Sequence, residues 1–124
     1  MDEQVRVQFD ADDVLALKGA LDVLQSELKT GALSVHGVER EWLQAQAEEV
    51  AALVEKGAPQ RVEWSRRAVW LWLHYADRAL RLRGYVVGRP EANERFVRLY
   101  RKLKAAERQT DGWLGRIRRH LRRF

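Results

Sequence analysis

The chain contains no cysteine and only two prolines among its 124 residues. Without cysteine there is no disulfide, no thiol nucleophile and no zinc–thiolate site. Such a chain fits a reducing compartment. The prolines, Pro59 and Pro90, stand at segment boundaries, so long helices run between them uninterrupted. Long apolar runs are missing as well. The longest, Ala68 to Ala76, contains His74 and is flanked by Arg67 and Asp77. It falls far short of the roughly 20 residues that a spanning helix needs. Met1-Asp2-Glu3 lacks the basic-then-apolar order of a secretory signal. Internal repeats, low-complexity tracts and linkers are absent too. These absences predict a soluble, cytoplasmic protein without membrane association, folded as a single helical domain over residues 1–124.

Charge of one sign is scarce in each half. Residues 1–60 carry 5 Lys+Arg against 12 Asp+Glu, a net of −7. Residues 61–124 carry 18 against 6, a net of +12, and 16 of those 18 are arginine. Arginine offers a planar, bidentate fork suited to phosphate and carboxylate. The asymmetry predicts a polyanionic partner, either nucleic acid or an acidic protein surface. The alternative is self-complementarity, within one chain or between two copies as a homodimer.

Periodicity sets out the elements. Gln4 to Phe9 alternates polar and apolar residues, a short strand signal. Asp10, with Asp13 three residues on, is an N-cap for a first helix from about Ala11 to Lys29. Its stripe is Val14, Leu17, Leu21, Leu24 and Leu28, spaced as a coiled-coil seam. Thr30-Gly31 ends it. A second helix is expected from Ser34 or Gly37 to Lys56, with Leu43, Ala47, Val50, Leu53 and Val54 inward, and Gly57-Ala58-Pro59 stops it. The two form an acidic helical hairpin over residues 1–57. A third helix, from about Arg61 to Arg83, has an apolar arc covering more than half its circumference, from Ala68 to Leu82, so it should lie at the centre. Pro90 opens a fourth helix, and Thr110-Asp111 caps a fifth, with Trp113, Leu114, Ile117, Leu121 and Phe124 on one face. The expected fold is an all-α antiparallel bundle of about five helices. Its arginine-rich three-helix part spans residues 61–124, and a two-stranded ribbon could join residues 4–9 to 85–87.

No residue pattern implies a cofactor, a metal or a catalytic centre. His36, His74 and His120 are scattered, and Asp10, Asp12 and Asp13 sit where helix capping wants acids. Gly84, Gly88 and Pro90 surround a helix start but lack the lysine–serine continuation of a phosphate loop. The spacing from Arg67 to His74 resembles the signature of HEPN-type ribonucleases, small helical bundles in which a histidine follows an arginine after four to six residues. The match covers two residues, and the polar residue usual directly after the arginine is here Ala68. It implies RNA cleavage as a third-ranked reading.

The stronger signal lies on the same helix. Arg66, Arg67, His74, Arg78 and Arg81 form a polar stripe with Asp77, and Trp70 sits inside it. An indole among guanidiniums suits single-stranded nucleic acid, because the ring stacks on a base while arginines take phosphates. Arg95, Arg98, Arg101 and Lys102 on the fourth helix extend the basic surface, as do Arg116, Arg119, Arg122 and Arg123 on the fifth. The leading expectation is a non-enzymatic accessory protein gripping the nucleic-acid backbone. The second is a protein-interaction module, either a homodimer through the first helix's seam or a partner of an acidic protein.

Overall fold

A computed structural model describes residues 4–83 and 90–110 of the chain. Among the described residues there are four helices and a two-stranded antiparallel sheet, so the chain is mostly helical, as expected. The order is β1 (Gln4–Phe9), α1 (Ala11–Thr30), α2 (Arg40–Lys56), β2 (Gln60–Ser65), α3 (Arg66–Arg83) and α4 (Pro90–Thr110). The expected fifth helix and the Tyr85–Val87 strand lie outside the described residues.

β1 turns Val5, Val7 and Phe9 into the core and its polar residues outward. Asp10 then caps α1 through a reciprocal box. The Asp13 amide donates to Asp10 Oδ1 at 2.9 Å, and the Asp10 amide donates to Asp13 Oδ2 at 3.0 Å. The Asp13 amide holds the Asp10 carboxyl below its usual range. Gly31, at φ 80°, ends α1 in the left-handed conformation, its N–H donating to the Glu27 carbonyl at 2.8 Å.

Two expectations need correction. α2 starts at Arg40, not at Ser34 or Gly37. The Ser34 amide is spent on the Glu27 side chain, Val35 is buried as a plug, and Gly37 takes φ 74°, so the segment runs as a loop. The third helix also begins later than Arg61. Residues Gln60–Ser65 are β2, and β1 pairs with it in the register Val5↔Trp64 and Val7↔Val62. Arg61-Val62-Glu63-Trp64 alternates with period two and carries a β-branched and an aromatic residue inward, which suits a strand. Ser65 closes β2 and starts α3, its Oγ accepting from the Ala68 amide at 3.2 Å.

α3 is central, as its wide arc predicts. Val69, Leu71, Trp72, Tyr75, Ala76 and Ala79 have no exposed surface. Leu82, expected on that arc, is instead 62% exposed, because it lies in the last turn beyond the packed face. Trp72 stacks near Trp64, centroids 6.3 Å apart, and Trp64 tilts against Phe9 at 5.3 Å, so the sheet is bound to α3 through aromatic rings. α1 packs against α2, α3 and α4. Its seam, Val14, Leu17, Leu21, Leu24 and Leu28, is buried within the chain, so it is not available to a second copy. Gly19 on α1 lets the Phe96 ring of α4 come close, with no Cβ in its way.

Candidate nucleic-acid interface

The polar side of α3 is built around an acid supplied by α1. Glu27 lies on the buried stripe between Leu24 and Leu28, and its side chain is 8% exposed. Its Oε1 accepts from the Ser34 amide at 2.6 Å and from the Tyr75 hydroxyl at 3.1 Å. Its Oε2 accepts from Arg78 Nε at 2.8 Å. Burial works to raise its pKa. The Ser34 amide and hydroxyl, the Tyr75 hydroxyl and the Arg78 guanidinium outweigh burial and hold the carboxyl below its ordinary range. Burial, with the Glu27 carboxylate beside it, pushes the Tyr75 phenol up to about 12.

His74 joins the same cluster. Its Nε2 is hydrogen-bonded to Ser34 Oγ at 2.9 Å, and its ring meets the Tyr75 ring edge-on at 5.1 Å. Burial pushes the imidazole below its ordinary 6.5, helped by the Arg78 charge and opposed by Glu27 and Asp77. The folded chain therefore prefers neutral His74, whereas the unfolded chain takes up a proton near 6.5. Stability should fall as the pH drops through and below that unfolded value. Denaturant midpoints measured between neutral and mildly acidic pH should slope down in the native chain and flatten in His74→Gln.

The basic residues are largely engaged by the chain's own acids. Arg95 Nε lies 3.1 Å from Asp12 Oδ1, and Arg98 Nη1 lies 3.5 Å from Asp12 Oδ2. Lys102 pairs with the buried Asp13 and also donates to the Gln8 carbonyl at 2.9 Å. Arg81 bonds Asp77 one turn before it at 3.2 Å, and Arg78 is held by Glu27. The basic α4 thus docks on the acidic first turn of α1. The self-complementary reading of the charge split is realised at these positions. Arg101 and Arg108, both exposed on α4, have no ion-pair partner among the described residues. Arg116, Arg119, Arg122 and Arg123 lie outside the described residues.

Trp70 stands on the same side of α3. Its indole is 42% exposed and stacks over the His74 ring, with centroids 6.5 Å apart and planes 25° from parallel. By contrast, Trp64 and Trp72 are buried, and Trp42 of α2 is covered by Arg67, whose guanidinium carbon stands 4.2 Å above its ring. Trp70 lines two cavities. One, of about 250 Å³, is rimmed by Arg66, Arg67 and Glu107. The other, of about 260 Å³, is bounded by Leu73, His74, Asp77, Tyr100, Lys104 and Glu107. The acids here face cations, Asp77 meeting Arg81 and Glu107 lying 3.7 Å from Lys104. Arg67 and His74, the spacing shared with HEPN-type ribonucleases, are separately engaged, one on Trp42 and the other on Ser34.

No family model, curated protein or solved structure matches this chain.

The site therefore stands on its own geometry. Of the expected residues, the structure gathers Arg66, Arg67, Trp70 and His74 along one side of α3. Arg95, Arg98 and Lys102 are drawn instead to the start of α1. Among the described residues no group of three or more His, Asp or Glu could hold a metal ion. No helix among them is long and apolar enough to cross a membrane. Sequence reasoning missed Glu27, Ser34 and Trp42. The signal for Glu27 was available, since an acid three residues after Leu24 and one before Leu28 falls on the buried stripe. Ser34 and Trp42 carry no comparable mark, because His74 and Arg67, which they meet on α3, lie 40 and 25 residues away.

Proposed function

We propose that the chain is a non-enzymatic binder of single-stranded nucleic acid, with Trp70 as the stacking residue and the arginines beside it on α3 as phosphate contacts. The observation that supports this reading is the half-exposed indole. It faces a cleft rimmed by Arg66 and Arg67, while the other described tryptophans are buried or covered. Its back rests on His74, which fixes the ring plane before any base arrives. A base stacked on an aromatic ring gains roughly 1–3 kcal/mol. The guanidiniums supply attraction for the backbone irrespective of sequence.

The test is anisotropy of a labelled single-stranded oligonucleotide, titrated at several salt concentrations. Affinity should fall linearly on a log–log plot, with a slope of about −0.7 per phosphate contacted. Trp70→Ala should weaken binding by about 5- to 150-fold, the range a 1–3 kcal/mol stacking loss implies, and Trp70→Phe should retain most of it. Absent or salt-independent binding to both DNA and RNA would sink the proposal. Cleavage of the RNA during the titration would favour the ribonuclease reading, with Arg67 and His74 the residues to change.

A second reading is favoured by Arg101 and Arg108, which lie seven residues apart on α4 without acidic partners among the described residues. Two exposed guanidiniums two turns apart fit an acidic protein surface. Binding of that kind would survive Trp70→Ala and be lost in the double variant Arg101→Glu/Arg108→Glu.

A further inference from the structure

Among the described residues the sheet has two strands, and its two outer edges are treated differently. α4 lies across the free side of β1, where Lys102 Nζ bonds the Gln8 carbonyl. β2 packs on β1 and on the adjoining α3, and no other element among the described residues packs closely along it. An uncovered edge presents alternate N–H and C=O groups ready to pair with another strand. A sheet of two strands gains most from such pairing, since it is marginal by itself.

We propose that β2 pairs antiparallel with β2 of a second copy, giving a four-stranded sheet in the order β1–β2–β2–β1. Charge selects the occupant and the register. A two-fold pairing of identical strands sets opposite one another residues whose numbers have a constant, even sum, because directly opposed residues share the same hydrogen-bonding parity. Three registers keep the middle of β2 paired. One centred on Arg61 sets arginine against arginine, and one centred on Glu63 sets glutamate against glutamate. Centring on Val62 sets Arg61 against Glu63 of the second copy, twice over, and Val62 against Val62. Opposite charges directly across a ladder are favourable and like charges are not. Arg61 and Glu63 are exposed on the outer face while Val62 is half-buried on the inner one, so only the third register satisfies both faces. Glu63 keeps its bond to Arg6 Nε at 3.1 Å and gains a second guanidinium. The edge is six residues long, so the dimer is weak and concentration-dependent, as befits an interface below about 1,200 Å².

The absence of cysteine makes the register directly testable. Val62→Cys places two thiols on the symmetry axis. Their Cα atoms are about 4.5 or 5.5 Å apart across an antiparallel ladder, inside the roughly 4.4–6.8 Å that a disulfide spans. Mild oxidation at high chain concentration should yield a disulfide dimer from Val62→Cys and none from the control Ala52→Cys on the exposed side of α2. In parallel, sedimentation equilibrium of the unaltered chain should show a mass rising toward twice that of the monomer at low salt. Arg61→Glu opposes two glutamates and should weaken self-association at least tenfold while leaving the Arg6–Glu63 pair intact. Mixing Arg61→Glu with Glu63→Lys should restore a mixed dimer. A monomer up to millimolar concentration overturns the proposal. So does association that Arg61→Glu leaves unchanged, or crosslinking of Ala52→Cys as fast as Val62→Cys.

Discussion

Glu27→Ala is expected to remove about 3–5 kcal/mol of folding stability, because it deletes a buried carboxylate that satisfies several donors at once, and each buried donor left unpaired costs roughly 1–3 kcal/mol. The loss reaches beyond the ion pair. The carboxylate accepts from the Ser34 amide and the Tyr75 hydroxyl as well as from Arg78. Alanine strands a backbone donor, a buried phenol and a guanidinium together, and unpaired buried donors are costly. In a domain of this size the loss lowers the thermal midpoint by about 10–20 °C. Glu27→Gln keeps an acceptor for the Ser34 amide and should lose roughly half as much. Because the folded carboxyl is held below its ordinary 4.5, Glu27 stabilises the fold above that value. The contribution disappears as the pH falls through the lowered folded value. Urea unfolding across the acid range should show a steep decline in the native chain and a shallower one in Glu27→Gln. A loss under about 1 kcal/mol in Glu27→Ala, the scale of an ordinary exposed ion pair, would mean that the cluster does not hold α1, the loop and α3 together.

Gly19→Val is expected to be the next most damaging change. A Cβ at Gly19 would stand 2.6 Å from Cζ and 2.9 Å from Cε1 of the Phe96 ring. Phe96 is itself buried, so its ring has little room to swing aside. Overpacking of this kind costs about 1–3 kcal/mol, against a gain of a few tenths from replacing glycine within a helix. The clash is specific, so the double variant Gly19→Val/Phe96→Ala should be far less destabilised than the two single losses added together. Unfolding free energies of the four species give the coupling directly. Additive losses would show that α1 and α4 do not meet at this pair.

Much of the helical framework was legible because each helix carries its own punctuation. Asp10 with Asp13, Gly31, the Gly57–Pro59 stop and Pro90 mark ends by local chemistry that tertiary contacts do not override. β2 was not legible for an identifiable reason. Trp64, Ala68 and Trp72 follow one another at four-residue spacing, so the strand's inward tryptophan fits the stripe of the following helix. Only the pairing with β1, whose partners lie more than 50 residues earlier in the chain, separates the two periods. The interface was legible in composition but not in disposition. That Trp70 sits among arginines is written in α3. That Arg95, Arg98 and Lys102 turn toward Asp12 and Asp13 depends on how α4 lies against α1, a relation across more than 80 residues. The pairing of the buried Glu27 with Arg78 follows the same logic, since helix periodicity finds the acid but not its cation.

The β1–β2 ladder has a topological consequence. It ties Gln4–Phe9 to Gln60–Ser65, and so closes a loop of roughly fifty residues that contains α1 and α2. Closure entropy must be spent before such a distant pairing is rewarded, so the ladder relies on α1 and α2 within the loop to bring its two strands together. The acidic half of the chain is therefore a ring fastened at its own ends. The basic half leaves from the clasp, and α4 folds back over β1 to lock it.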